Sequence, residues 1–278
     1  MTDTRMRLSA LALVVLPLTL AAQDPVPFTV TVDGVALAGE VHTLPGTHPT
    51  TAVIIVGGSG YQTRADAASA VDLLADSATA VVLVDRRGYG TSGGDPVVPS
   101  TRTTATLVPR LADDVIAVAH HLRTRGHRRV GLLGSSMGGW VNVAAAARSD
   151  AIDFIVNING GGSSVGVSDE FDRLTDEGAS IADATAAARR YTGPAGCDPA
   201  PDLPRIHQPA LWIYGAADDS NPTVLDVEAV TRLKEAGSPF TVLVLEATDH
   251  ELIYRTTGAF NASWVGSLRE YVRGAAVR

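Results

Sequence analysis

The sequence predicts an α/β fold: a doubly wound, mostly parallel sheet with an antiparallel hairpin at its N-terminal edge and a small helical cap inserted late in the chain. Three observations predict it. Short, wholly apolar runs alternate with longer helical segments along most of the 278 residues, and strands apolar on both faces belong in a parallel sheet covered on each side. A hairpin turn signal precedes the first of these runs. One connection, Gly160 to Arg205, is about 45 residues long, far beyond ordinary loop lengths, where the others hold a single helix.

The hairpin is read from Phe28-Thr-Val-Thr-Val32, then Asp33-Gly34, then an alternating run to His42. Asp-Gly supplies the positive φ angles that a tight two-residue turn requires. The apolar runs are Ala52–Val56, Ala80–Val84, Val130–Leu133, Phe154–Ile158, Ala210–Tyr214 and Phe240–Leu245, with helices expected over Ala65–Ser77, Leu107–Arg125, Gly138–Arg148, Thr223–Ala236 and Gly258–Arg273. Such regular alternation implies a doubly wound domain. Within the long connection, Ser168–Gly178 and Ile181–Thr192 read as helices, and Gly193-Pro194 ends the second. The insertion at about 160–205 is therefore expected to be a cap, because long insertions at the ends of sheet strands usually carry function.

The N-terminus has the layout of a secretory leader. Arg5 and Arg7 precede an apolar run from Leu8 to Leu20, followed by Ala21-Ala22-Gln23-Asp24. The run is short for a membrane span and Pro17 interrupts it. Residues 1–22 are thus expected to be a cleaved signal peptide and 23–278 an exported domain, periplasmic or extracellular, without stable membrane insertion after cleavage. The formal net charge is −8, one unit more negative without the leader, which argues against a nucleic-acid partner bound through a basic patch. Cys197 is the only cysteine, so no intramolecular disulfide can form and stability must come from the core.

The chemistry is first visible at Gly134-Ser135-Ser136-Met137-Gly138, which follows the strand Val130–Leu133 and opens a helix. A serine on a sharp strand-to-helix turn has a strained backbone, so the residues two away on either side must be small. Gly134 and Gly138 meet that need and select Ser136 as nucleophile; Ser135 is a competing hydroxyl but off register. The helix N-terminus presents free N–H groups and a positive dipole end to an oxyanion, with the Met137 N–H as one donor.

With that motif in its context, the chain resembles the α/β-hydrolase family, in its esterase and serine-aminopeptidase-like branch, over nearly the whole sequence after the leader. Val56-Gly57-Gly58-Ser59-Gly60 is similar to the family's oxyanion loop, which implies the Ser59 N–H as second donor, with Gly58 the alternative. Asp85-Arg86-Arg87-Gly88-Tyr89-Gly90-Thr91-Ser92 resembles the family's D-x-R-G-x-G-x-S turn, read as architectural. Serine at the bend sets the chain apart from the family's dehalogenases and epoxide hydrolases, which the resemblance says use aspartate there.

A serine hydroxyl needs a base within hydrogen-bond reach, and the base needs a carboxylate to orient it. In this fold the acid precedes the histidine, and both follow the serine. Of seven histidines only His250 lies beyond the strand that could supply the acid. Gly215-Ala216-Ala217-Asp218-Asp219-Ser220-Asn221-Pro222 resembles the family's G-x-x-D-x-x-x-P loop, a register that selects Asp218 and leaves Asp219 as rival, while Asp249 reads as a solvated neighbour of the base. His120 and His121 have no i, i+4 partner, so no metal site is expected. Tyr61 and Trp140 flank the two oxyanion segments and are candidates to shape the acyl pocket, Trp140 also fitting the core.

The expected activity is hydrolysis of a small-molecule carboxylic ester through an acyl-enzyme on Ser136, with no cofactor. A serine aminopeptidase or amidase on the same triad is the second expectation, because Asp169, Glu170, Asp172, Asp176 and Glu177 in the cap offer carboxylates for a free α-amine. A non-catalytic binding protein on a hydrolase scaffold is the third.

Overall fold

A computed structural model describes residues 24–60 and 62–274. The expected leader, residues 1–22, and the pocket candidate Tyr61 lie outside the described residues. Asp33 and Gly34 take φ values of 48° and 76°, so the Asp-Gly turn joins β1 (Val26–Val32) to β2 (Val35–His42) as the sequence predicts, Val32 opposite Val35. The other strands are β3 (Thr51–Val56), β4 (Thr79–Val84), β5 (Arg129–Ser135), β6 (Phe154–Ile158), β7 (Ala210–Gly215) and β8 (Phe240–Leu245). They form one eight-stranded sheet in the order β1-β2-β4-β3-β5-β6-β7-β8. β2 meets β4 antiparallel, and every pairing beyond is parallel.

The order reverses at β3, whose neighbours are β4 on one side and β5 on the other. A crevice opens at the carboxyl ends of strands where the winding changes direction. Alternating side chains cover the two faces of the sheet. Ile54, Val82, Leu132, Ile155 and Trp212 face α2 (Thr104–Thr124), α3 (Met137–Ala146) and α6 (Thr223–Glu235). Val53, Val81, Leu133, Val156 and Leu211 face α1 (Ser69–Leu74) and α7 (Val265–Val272).

Several helices differ from expectation at their ends. The segment expected as one helix over Ala65–Ser77 is a 3-10 turn, Arg64–Ala67, followed by the short α1. Asp66 causes the first part by accepting the N–H groups of Gln62 and Thr63. Asp76 causes the stop by accepting those of Ala78 and Thr79. α7 begins at Val265 and not at Gly258, because Ile253 bridges Phe260 and the buried Asn261 donates its backbone N–H to Leu252 and its side-chain amide to Thr248. In the cap, α4 (Val165–Asp176) starts earlier than expected, since Ser164 is its N-cap and accepts from Val167 N. α5 (Ile181–Ala188) is capped in the same way by Ser180 and ends before Thr192.

The cap has a small core of its own, Phe171, Ala184 and Ala188, against which Leu225 of α6 packs. Arg189 reinforces this with two 2.7 Å bonds to Glu228. The entry into the cap is held from beneath by Asp226 of α6, fully buried, which accepts from Ser163 Oγ at 2.5 Å and Gly162 N at 3.4 Å.

Burial, with Asp218 nearby, pushes the Asp226 carboxyl up to about 7. A carboxyl whose pKa is raised on folding binds its proton more tightly in the native state, so stability falls as pH climbs from the ordinary 3.8 to about 7. Asp226→Asn, which cannot ionise, should therefore gain in Tm relative to wild type as pH rises from about 5 to about 8. Thermal unfolding at both pH values measures this, and a pH-independent difference would refute a neutral buried acid.

Candidate active site

β5 runs directly into α3 with only Ser136 between them. Ser136 has φ 49° and ψ −121°, a conformation a non-glycine residue holds only when its surroundings over-determine it. Its N–H donates to the Ile158 carbonyl of β6 at 2.8 Å, and its own carbonyl accepts from Gly139 N at 2.8 Å. The flanking glycines are required by contact: a Cβ on Gly138 would lie 2.1 Å from the Val56 carbonyl oxygen, and one on Gly134 would lie 2.5 Å from that of Gly138. Ser135 is a strand residue in register with Ile158, so the bend falls on Ser136 alone. Met137 opens α3, and its N–H has no acceptor within the helix.

Above the bend lies a cavity of about 580 Å³. Ser136, Met137 and Trp140 line it from below, Gly58 and Ser59 from the loop after β3, and His250 from the loop after β8. Gly58 packs against the serine, since a Cβ there would sit 3.1 Å from Ser136 Cβ. Trp140 is buried while lining the cavity, and its Nε1 donates to the Ser163 carbonyl at 2.7 Å, tying the cap to the floor. The charged residues on the wall besides His250 are Asp169, Asp172 and Glu251, with no lysine or arginine among them.

Asp218 follows β7 and is 1% exposed. Its Oδ1 accepts the N–H groups of Ser220 and Asn221, each at 2.8 Å. Its Oδ2 meets His250 Nδ1 at 2.8 Å. This leaves Nε2 as the uncommitted ring nitrogen of His250. Burial pulls the imidazole pKa down, but the hydrogen bond to Asp218 and its charge outweigh burial and hold it above the ordinary 6.5. Ser136 and His250 share the cavity without a hydrogen bond between them; such bonds commonly close only around a bound substrate.

The rival acid is placed elsewhere. Asp219 forms an ion pair with Arg255, while Asp218 is the aspartate bonded to His250. Asp249 is not simply solvated: its Oδ1 accepts from Glu251 N at 3.1 Å and Ile253 N at 2.8 Å, folding the loop that carries His250. Two other histidines have local partners, His121 stacked on Phe28 and His127 bonded to the Pro49 carbonyl. Among the described residues no three His, Cys, Asp or Glu side chains are grouped to hold a metal.

Sequence reasoning missed Asn159, the residue that binds the loops together. It is buried, with φ 49°, a left-handed conformation that asparagine tolerates better than most residues. Its Oδ1 accepts from Gly215 N and its Nδ2 donates to the His250 carbonyl, both at 2.8 Å. Its own carbonyl accepts from Asn221 Nδ2 at 2.5 Å. One side chain and one peptide thus join the end of β6, the Asp218 loop and the His250 loop. The only sequence signal was an asparagine at a strand end before Gly160-Gly161-Gly162.

Comparison with known proteins bears on the fold and the family. Solved structures similar in fold include an esterase of Pyrococcus furiosus (TM-score 0.68, 18% identity, 90% of this chain and 91% of that one). A proline iminopeptidase of Mycobacterium smegmatis has TM-score 0.64 at 17% identity over 89% of this chain and 98% of that one. A 2,6-dihydroxy-pseudo-oxynicotine hydrolase has TM-score 0.66 at 20% identity, covering 94% and 69%. Identities this low bear on the fold alone. No curated protein matches the sequence. The family described as "Alpha/beta hydrolase family" matches residues 43–262, most of the chain, and the protein therefore belongs to the alpha/beta hydrolase family.

Proposed function

We propose that the protein is a serine hydrolase that cleaves a small carboxylic ester through an acyl-enzyme on Ser136. The observation that carries the reading is the 2.8 Å bond between a buried Asp218 and His250 at the rim of the cavity floored by Ser136. In the first stage His250 Nε2 takes the hydroxyl proton as Ser136 Oγ attacks the carbonyl carbon. The carbonyl oxygen becomes an oxyanion held by the N–H groups of Met137 and Ser59, and the leaving alkoxide departs with the proton from His250. In the second stage His250 deprotonates water, which attacks the acyl carbon and frees Ser136. Asp218 holds the Nδ1–H tautomer and stabilises the imidazolium formed in each stage.

Hydrolysis of an aminoacyl amide or ester is a second reading, favoured by one observation: Asp169, Asp172 and Glu251 line the cavity with no cation other than His250 to offset them. Burial, with Asp176 beside it, holds the Asp172 carboxyl above the usual range. A substrate ammonium would relieve that cost.

A fluorophosphonate probe should label wild type and not Ser136→Ala. Labelling of both refutes the nucleophile, and labelling of neither supports a binding protein. Turnover of p-nitrophenyl acetate should exceed that of amino-acid p-nitroanilides; the reverse order, with a raised KM for anilides in Asp172→Asn, selects the aminoacyl reading.

The base must be neutral to accept a proton, so kcat/KM should rise with pH through an apparent pKa above 6.5 and be lost as pH falls through it. In Asp218→Asn the main opposition to burial is removed, leaving only the smaller effects of Glu251 and Asp172, so that pKa should fall relative to wild type while kcat drops by about 10⁴, as in other such triads. A pH profile of the variant that keeps the wild-type midpoint would show that another group is the base.

Asn159→Leu, similar in volume but without polar atoms, should lower kcat by about 10²-fold through misplacement of His250 and Asp218. Asn159→Asp keeps an acceptor for Gly215 N but places an anion beside the His250 carbonyl, and should lie between. Stopped assays on folded protein check both; a leucine variant as active as wild type would show that the loops hold themselves.

A further inference from the structure

The geometry points to Arg86 as the residue that positions the oxyanion loop, turning the Ser59 N–H toward the nucleophile; this rests on the Ser136 reading above. Arg86 lies just past β4, in the turn that the sequence suggests is chiefly architectural. Its Nη2 donates to the carbonyls of Gly57 at 3.1 Å and Gly58 at 2.5 Å. Its backbone N–H donates to the Gln62 carbonyl at 2.8 Å. One residue therefore clasps the loop after β3 near both of its ends.

The consequence follows from peptide planarity. In a trans peptide the C=O of one residue and the N–H of the next point in opposite directions. The guanidinium fixes the Gly58 carbonyl on its own side of the loop, so the Ser59 N–H faces the other way. Gly58, Ser59 and Gly60 line the catalytic cavity, whereas Gly57 and Arg86 do not and instead line a small internal pocket behind the loop. With the carbonyls drawn back to Arg86, the N–H groups that follow them are left to face the oxygen on which charge develops. Without the guanidinium, a glycine-rich segment could flip this peptide and present a carbonyl oxygen to the developing anion. That would replace attraction with repulsion at the point where charge appears in the transition state.

The rest of the turn holds Arg86 in place. Asp85 accepts from Arg64 N at 2.8 Å and from Thr91 N at 2.9 Å, and Ser92 Oγ donates to the Asp85 carbonyl at 2.7 Å. The next residue, Arg87, has a different task, pairing with Asp114 of α2 through two bonds of 3.0 and 2.5 Å. Of two adjacent arginines, one anchors a helix and the other aims a loop.

Arg86→Ala and Arg86→Lys test this, with p-nitrophenyl acetate as substrate and phenylboronic acid as a transition-state analogue that adds to the serine. Mispositioning one donor should cost less than its outright loss, so kcat of Arg86→Ala should fall by about 10- to 100-fold with KM little changed. The Ki for phenylboronic acid should weaken in parallel, millimolar guanidinium should restore part of kcat, and Arg86→Lys should be intermediate. Arg87→Gln is the structural control, expected to lower Tm without changing the ratio of boronate Ki to KM. Unchanged kcat and Ki, or losses that merely track the folded fraction, overturn the role of Arg86. A wild type that reacts with neither boronate nor fluorophosphonate overturns the Ser136 reading and this one together, whereas a reactive wild type with an insensitive Arg86 variant overturns this one alone. Should the alanine variant not fold, the kcat and Ki of Arg86→Lys decide by the same criteria.

Discussion

The site depends on how closely backbone passes backbone at the bend after β5. With Gly138 against the Val56 carbonyl, Gly134 against Gly138, and Ser136 bonded to Ile158 on the next strand, the serine is clamped between the ends of β3 and β6. A positive φ at a residue with a side chain is costly in isolation. Here that cost is offset by contacts with no room for adjustment, because a tightly packed interior does not deform by fractions of an ångström without loss. A rigid bend also fixes the helix N-terminus beneath it, so the position of Oγ and the direction of the Met137 N–H are set together.

Electrostatics are arranged around that fixed point by groups that are themselves fully engaged. Asp218 is buried, yet both oxygens have partners: two backbone N–H groups on one and the imidazole on the other. A buried carboxylate without such partners would take up a proton. The bond from Asp218 and its charge hold the imidazole pKa up against the opposing effect of burial. Asp226, nearby and equally buried, receives one hydroxyl and one distant N–H, and its carboxyl is pushed up. The two neighbouring aspartates differ in the number of good donors each receives.

The sheet was legible in the sequence because its strands are apolar on both faces and its one hairpin carries an Asp-Gly turn. Ser136, Asp218 and His250 could be named from motif context and chain order, and the structure brings the last two into contact. What escaped was of two kinds. Helix ends at Asp66, Asp76, Ser164 and Asn261 were set by side-chain hydrogen bonds to backbone, which depend on geometry that periodicity does not record. Asn159 and Arg86 act through backbone groups distant in sequence, and a bond from a side chain to a remote carbonyl leaves no pattern in the chain. Asp249 escaped for a different reason: its Oδ1 accepts from amides of its own loop, contacts that exist only once the loop is folded.

The cap is joined to the acid loop and not only to the sheet. Ser168 of α4 is bonded to Asn221, and Thr175 donates to the Asp219 carbonyl at 2.5 Å; Asn221 in turn gives its N–H to Asp218. The cavity wall and the loop that holds the His250 partner are therefore one mechanical body. A change within α4 that reshapes the chamber also strains the support of Asp218, so neither can be altered independently of the other.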